Sequence, residues 1–195
     1  MHKKLRTTCF TFLAFGLCCG ILQAQAPKTI ARKKFTLHSS TLQNGATMTM
    51  KQVFNGFGCS GENVSPELSW FGAPPGTKSF ALTMYDPDAP TGSGWWHWVI
   101  FNIPTTTNEI PEGAGNKVVV LPGTTAVQSM TDFGKPGYGG PCPPAGDTPH
   151  HYTLTIYALK VAALPLTAHS PGAMVGYYIN QNSLGNSSVT GLYGR

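Results

Sequence analysis

Residues 79–86, SFALTMYD, place their side chains alternately on two faces of an extended backbone. Phe80, Leu82 and Met84 take one face, and Ala81, Thr83 and Tyr85 take the other. Neither face carries a charge before Asp86, so the pattern predicts a central strand covered on both sides. A second apolar run, WWHWVIFNI over 95–103, stops at Pro104, and a third, HHYTLTIYAL over 150–159, repeats the period of two. Weaker alternation predicts a first strand over 35–42, further alternating chain after a turn at Asn44 and Gly45, and a closing strand in SSVTGLYGR. PPGTK at 74–78 reads as a turn into the strongest strand, whereas 55–70 and 133–152 are dense in Gly, Pro, Asn and Ser and read as loop.

One helix is signalled. Ser170 stands as its N-cap and Pro171 at its first position, and the run GAMVGYYINQNSL leads to Gly185 as its stop. No repeat and no linker divides the chain. The expectation is one mainly β domain over 35–195, with a helix near its C-terminal end.

Composition sharpens this picture. Charged residues are 11% of the chain, against about 25% in an average soluble domain. Glycine (23) and proline (16) are abundant in the 195 residues, yet short of the ~25–30% that marks disorder. The first residues stand apart: Lys3, Lys4 and Arg6 precede an apolar run over 9–22, and QAQAP follows. That order reads as a secretory signal peptide over 1–24, cut after Ala24 or alternatively after Ala26, with a flexible lead-in over 25–34. The apolar run is shorter than the ~20 residues of a membrane span. The expected location is therefore the periplasm or the exterior of a bacterium. Removal of 1–24 takes away three cations and no acid, which lowers the net charge from +5 to +2. The basicity is largely that of the export signal, and no Lys/Arg patch with interleaved aromatics suggests nucleic acid. Removal also leaves two cysteines, Cys59 and Cys142, which in an exported chain predict one disulfide.

The candidate chemistry gathers at the strand ends. Asp86 and Asp88 lie where the central strand runs out, with Pro87 and Pro90 fixing the bend. Ordinary turn capping accounts for Asp-Pro more readily than a functional role does. By strict alternation His97 shares a face with Trp95 and Val99, a position that suits a core histidine as well as a ligand. His150 and Tyr152 share the other strand's face, which sends His151 toward the surface, and GYGGPCPP supplies backbone amides of the kind that cradle anions. Three readings follow. A two-histidine, one-carboxylate set of His97, His150 and Asp86 suits a metal-assisted hydrolase, though no H-E-x-x-H spacing supports it. A nucleophile lacks a G-x-S-x-G or a free thiol. An anion pocket, with imidazoles and amides meeting the anion, ranks slightly above the metal. No catalytic residue, metal or cofactor is assigned.

YDPDAP, WWHWVIFNIP and GYGGPCPPAGDTPHHY, in this order, resemble the phosphatidylethanolamine-binding protein family, also called Raf kinase inhibitor-like, and in particular its exported bacterial branch. The resemblance covers about 35–193. It implies a central antiparallel sheet with a smaller second sheet and few helices, and a small cavity for phosphate or a phosphorylated head group. Asp86, Asp88 and Pro90 match the family's first motif, Trp95 and His97 its second strand, and Pro144, His150 and Tyr152 its second motif. It further implies that the aspartates orient and charge His97 and His150, that the prolines hold the mouth and that the tryptophans wall it. The function implied is non-enzymatic binding or regulation, with a partner enzyme such as a kinase or protease. His151 stands where many eukaryotic members carry arginine, and the chain stops at Arg195 without their C-terminal helix. The apolar helix and the branch's habit together suggest a homodimer.

Overall fold

The central strand is covered on both faces, as its uncharged alternation requires. The computed structural model of the protein describes residues 33–195, so the expected signal peptide and nearly all of the lead-in lie outside the described residues. From there the chain forms β1 (Thr36–His38), β2 (Asn55–Gly56), β3 (Cys59–Ser60), β4 (Leu68–Phe71), β5 (Ser79–Asp86), β6 (Trp95–Pro104) and β7 (Glu109–Ile110). It continues through a single 3-10 turn at Ala114–Asn116, β8 (Val127–Gln128), β9 (His150–Leu159), α1 (Gly172–Asn182) and β10 (Ser183–Tyr193). β5 is the middle strand of a five-stranded antiparallel sheet ordered β10-β9-β5-β6-β8. Phe80, Leu82 and Met84 pack with Trp98, Leu154 and Ile156 against a smaller sheet, β1-β4-β7, which contributes Leu37, Leu68, Trp70 and Ile110. On the reverse face Ala81, Val99 and Phe101 meet Val175 and Ile179 of α1. The fold is mainly β, with two antiparallel sheets packed face to face and a single α-helix among the described residues.

The departures from expectation have local causes. β1 is short because the Ser39 hydroxyl donates to the Glu67 carbonyl and the Ser40 N–H to the Glu67 carboxylate, which turns the chain out of the sheet. After Asn44 and Gly45 only Thr47 makes a β-bridge, to Leu192, before a turn in which the Gln52 and Val53 amides both donate to the Thr49 carbonyl. Ser170 is not the helix cap. Its Oγ accepts the N–H of Thr167, so the helix boundary falls at Pro171 and the first helical residue is Gly172. Gly185 does not stop the helix either: β10 begins at Ser183 directly, and Gly185 sits at a register shift within it. β10 therefore starts before SSVTGLYGR. Its early residues, Ser183, Gly185 and Asn186, pair with Leu159, Ala158 and Tyr157, and being small or polar they carry no apolar periodicity.

The loops beside β5 and β9 are tied together covalently. Cys59 and Cys142 form a disulfide with Cα atoms 6.0 Å apart at a sequence separation of 83, which in a chain-entropy account stabilises by about 4.5 kcal/mol. The neighbouring Gly140 donates its N–H to Asn63 Oδ1. A Cβ at Gly140 would lie 1.9 Å from the Gln52 carbonyl oxygen and 2.7 Å from the Phe54 nitrogen, so two backbone segments touch where only glycine fits. Gly140→Ala is expected to lower unfolding stability by about 2 kcal/mol or more. Urea denaturation measures this, and a loss below about 0.5 kcal/mol would show that the contact is not as tight as described.

Candidate functional site

Strand direction creates the site. β6 and β9 both run antiparallel to β5, so the start of each lies beside the end of β5: Asp86 pairs with Trp95, and Tyr85 with Thr153. The residues singled out on three strands thus converge at one end of the large sheet. They line a cavity of about 160 Å³, smaller than the ~300–1,000 Å³ of a site for drug-sized molecules. Asp86, Pro90, Trp95, His97, Pro144, His150 and Tyr152 all line it.

Asp88 does not line it. The two aspartates divide their histidines. Asp86, 2% exposed, accepts the Nδ1–H of His150 on Oδ2 at 2.8 Å and the backbone N–H of Asp88 on Oδ1 at 2.8 Å. Asp88 turns outward and accepts both the backbone N–H of His151, at 2.7 Å, and its ring Nδ1–H, at 2.8 Å. Burial tends to raise the Asp88 pKa, but the hydrogen bonds from His151 outweigh it and hold the carboxyl below its ordinary value. His151 is on the surface, as alternation predicts, and acts there as the partner of Asp88.

His97 differs from expectation in two ways. The β5–β6 register passes from Met84–Trp98 to Tyr85–Trp96, which leaves His97 as an extra residue in a β-bulge. The bulge breaks the strict alternation. His97 and Trp95 both reach the cavity, whereas Val99 belongs to the helix-side core. No aspartate holds the His97 ring; its Nδ1–H donates to the Gly139 carbonyl at 2.7 Å, and the Gly139 N–H returns to the His97 carbonyl at 3.0 Å. Burial pushes the imidazole down to about 4, only partly offset by the bond to Gly139. His97 is therefore neutral at pH 7 rather than charged. The expectation that aspartates charge both histidines holds in its geometry for Asp86 and His150 alone.

Of the tryptophans only Trp95 walls the cavity. Trp96 packs on the helix side of the sheet beneath Gly172 and Gly176, and Trp98 is fully buried with its Nε1–H on Gln128. The remaining wall is aromatic, and alternation did not point to it. Phe133 meets Trp95, His97 and Phe54 with ring centroids 5.5, 5.4 and 4.6 Å apart, and Phe57 at the β2–β3 tip completes the cluster. Phe57 and Phe133 sit in loops, where no periodicity marks a side chain. Their one signal was the aromatic placed inside a Gly-rich segment. The Arg195 guanidinium donates to the carbonyls of Pro143, Gly58 and Phe57 and joins the two sides of this wall.

The bonds from His150 Nδ1–H to Asp86 and from His97 Nδ1–H to the Gly139 carbonyl leave only Nε2 of each ring for a ligand. Among the described residues no group of three His, Cys, Asp or Glu side chains stands where it could hold an ion. His97, His150 and Asp86 do not form such a three-ligand group. What the cavity does present is a set of polar groups on a floor under apolar walls: His150, the Tyr152 phenol, whose ionisation burial pushes up, and Trp95, whose buried Nε1–H has no partner among the described residues.

The buried neutral histidine has a consequence for stability. An unfolded histidine protonates near pH 6.5 and folded His97 near pH 4, so between those values the unfolded chain binds the extra proton. Stability rises with pH across that window, and on the order of 3 kcal/mol is lost as pH falls through it. Urea unfolding is expected to lose more stability between about pH 6.5 and pH 4.5 in the wild type than in His97→Asn, which keeps a donor for Gly139. Equal losses in the two proteins would contradict the buried neutral ring.

Comparison with known proteins identifies the fold's family. The family profile described as phosphatidylethanolamine-binding protein matches residues 38–194. The Escherichia coli protein named UPF0098 protein YbcL is 50% identical over 159 residues, 82% of this chain and 87% of that protein. Its crystal structure, described as a new member of the mammalian PEBP family, superposes with a TM-score of 0.81 at 48% identity, covering 84% of this chain and 99% of the other. A Mycobacterium tuberculosis protein whose name marks it as a lipoprotein, LppC, is 33% identical over 166 residues, 84% of this chain and 74% of that protein. These matches lead to one conclusion: the chain belongs to the phosphatidylethanolamine-binding protein family.

Proposed function

We propose that this protein is a non-enzymatic binding protein whose cavity takes a small anion, phosphate or the phosphorylated head group of a larger ligand. In this reading occupancy modulates a partner enzyme such as a kinase or protease. The observation that carries the reading is the Asp86–His150 pair on the cavity floor. With Nδ1–H given to Asp86, His150 offers Nε2 to a ligand, with Asp147 Oδ2 3.5 Å from it; when that nitrogen carries a proton, its bond to an anion is charge-assisted and worth about 1.5–3 kcal/mol. Pro90 and Pro144 restrict the backbone around it, so little ordering is needed on binding. No side chain in the cavity is placed as an activated nucleophile, since Cys142 is in a disulfide.

The exported location belongs to the same proposal. Its supports are the disulfide, which persists in oxidising compartments, the signal-like residues 1–24, and the lipoprotein relative. No helix of the described residues is long and apolar enough to cross a membrane.

Titration of the histidine ring resonances with inorganic phosphate and with phosphoethanolamine tests the pocket. Saturable shifts confined to His97 and His150 are expected, with affinity reduced about tenfold or more in His150→Ala. The absence of any shift at millimolar ligand would remove the anion reading.

A further inference from the structure

We infer that His97 makes the cavity selective for a phosphate that carries its own proton, so that hydrogen phosphate or a phosphomonoester monoanion binds in preference to sulfate or a phosphodiester. The inference rests on the anion-pocket reading above and narrows its ligand class. The Gly139 carbonyl can only accept, so its 2.7 Å contact fixes a proton on Nδ1 of His97. Burial keeps the ring neutral at pH 7, which leaves Nε2 with a lone pair. The ring stands edge-to-face against Phe133 and Tyr152, both of which line the cavity with it. Among the described residues no protein donor meets Nε2.

A ligand oxygen that brings no hydrogen would set lone pair against lone pair at this nitrogen, whereas a P–O–H would complete a hydrogen bond. The charges around the ring act in the same direction. The cavity lining has no lysine or arginine and includes Asp86. Asp132 faces the ring from the loop after β8, with its carboxylate on the Trp96 N–H. Asp147 stands 3.5 Å from His150 Nε2, and Asp88 adds a carboxylate at the rim beside His151. Arg195 is spent on loop carbonyls behind the wall. A donor for the unprotonated phosphate oxygens comes from the Tyr152 phenol, kept neutral by burial and by the charges of Asp86 and Asp88. The cavity thus combines a donor with an enforced acceptor. Hydrogen phosphate matches both roles, while sulfate at neutral pH and a phosphodiester lack the O–H.

Isothermal titration with inorganic phosphate and with sulfate at about pH 7 tests this directly. Phosphate is expected to bind roughly tenfold or more tightly than sulfate, the factor expected for one unmet buried acceptor. At about pH 5.5, where a phosphomonoester keeps a proton because its second pKa is near 6, phosphoethanolamine is expected to exceed the diester glycerophosphoethanolamine by a similar factor. This pair of probes separates a free phosphate or monoester source from an intact lipid head group. His97→Gln, whose amide can offer an N–H, is expected to bring sulfate within about threefold of phosphate. If that variant does not fold, the two-bond 15N–1H spectrum of the phosphate-bound wild type decides: a neutral His97 with its proton on Nδ1 supports the inference, and a doubly protonated ring overturns it. Phosphate and sulfate binding alike would overturn the selectivity and leave the anion pocket standing. Neither anion binding would overturn both.

Discussion

The hydrogen bond between Asp86 and His150 is the constraint around which this end of the molecule is arranged. A carboxylate with 2% exposure is costly to bury unless its oxygens are met, and removing the partner of such a group typically costs 3–5 kcal/mol. Asp86 is met twice, by the His150 ring and by the Asp88 N–H. Both bonds require β5 to end where β9 begins, which the antiparallel register provides. The Pro-fixed turn after Asp86 then carries Asp88 outward to His151. One buried pair and one exposed pair result from a single motif, and only the buried pair belongs to the cavity.

The second organising feature is the bulge at His97. Without the extra residue, β6 would present Trp95, His97, Val99 and Phe101 on one face, and the helix-side core would compete with the cavity for the same side chains. The bulge lets Val99 and Phe101 serve the helix side while His97 and Trp95 turn to the cavity. Reciprocal bonds between His97 and Gly139 dock the Gly-rich loop onto this irregular strand. The disulfide and Arg195 then hold that loop to the β2–β3 hairpin.

How much of this was legible in the amino-acid sequence follows from the same physics. The long strands over 79–86, 95–103 and 150–159 were read closely, because long apolar alternation has few competing explanations. Two-residue strands such as β7 and β8 carry no period, and the start of β10 is polar and glycine-containing, so it shows no apolar alternation. The helix start was misplaced by one residue because Ser170 serves Thr167 instead of the helix. Motif residues of the candidate site were legible, since Asp86, His97, His150 and Tyr152 lie on or at the ends of those strands. Their partners were not. Which aspartate takes which histidine depends on the turn after Asp86, and the charge state of His97 depends on a bulge and a loop carbonyl far away in sequence. Phe57 and Phe133 reach the cavity only through loop docking, which local pattern does not encode.

A crystal structure of the protein grown with inorganic phosphate tests the central claim most directly. The account predicts one phosphate in this cavity, within hydrogen-bond distance of His97 Nε2, the His150 ring and the Tyr152 hydroxyl. A phosphate bound only elsewhere, or a metal ion ligated by Asp86 and His150 in its place, would contradict it.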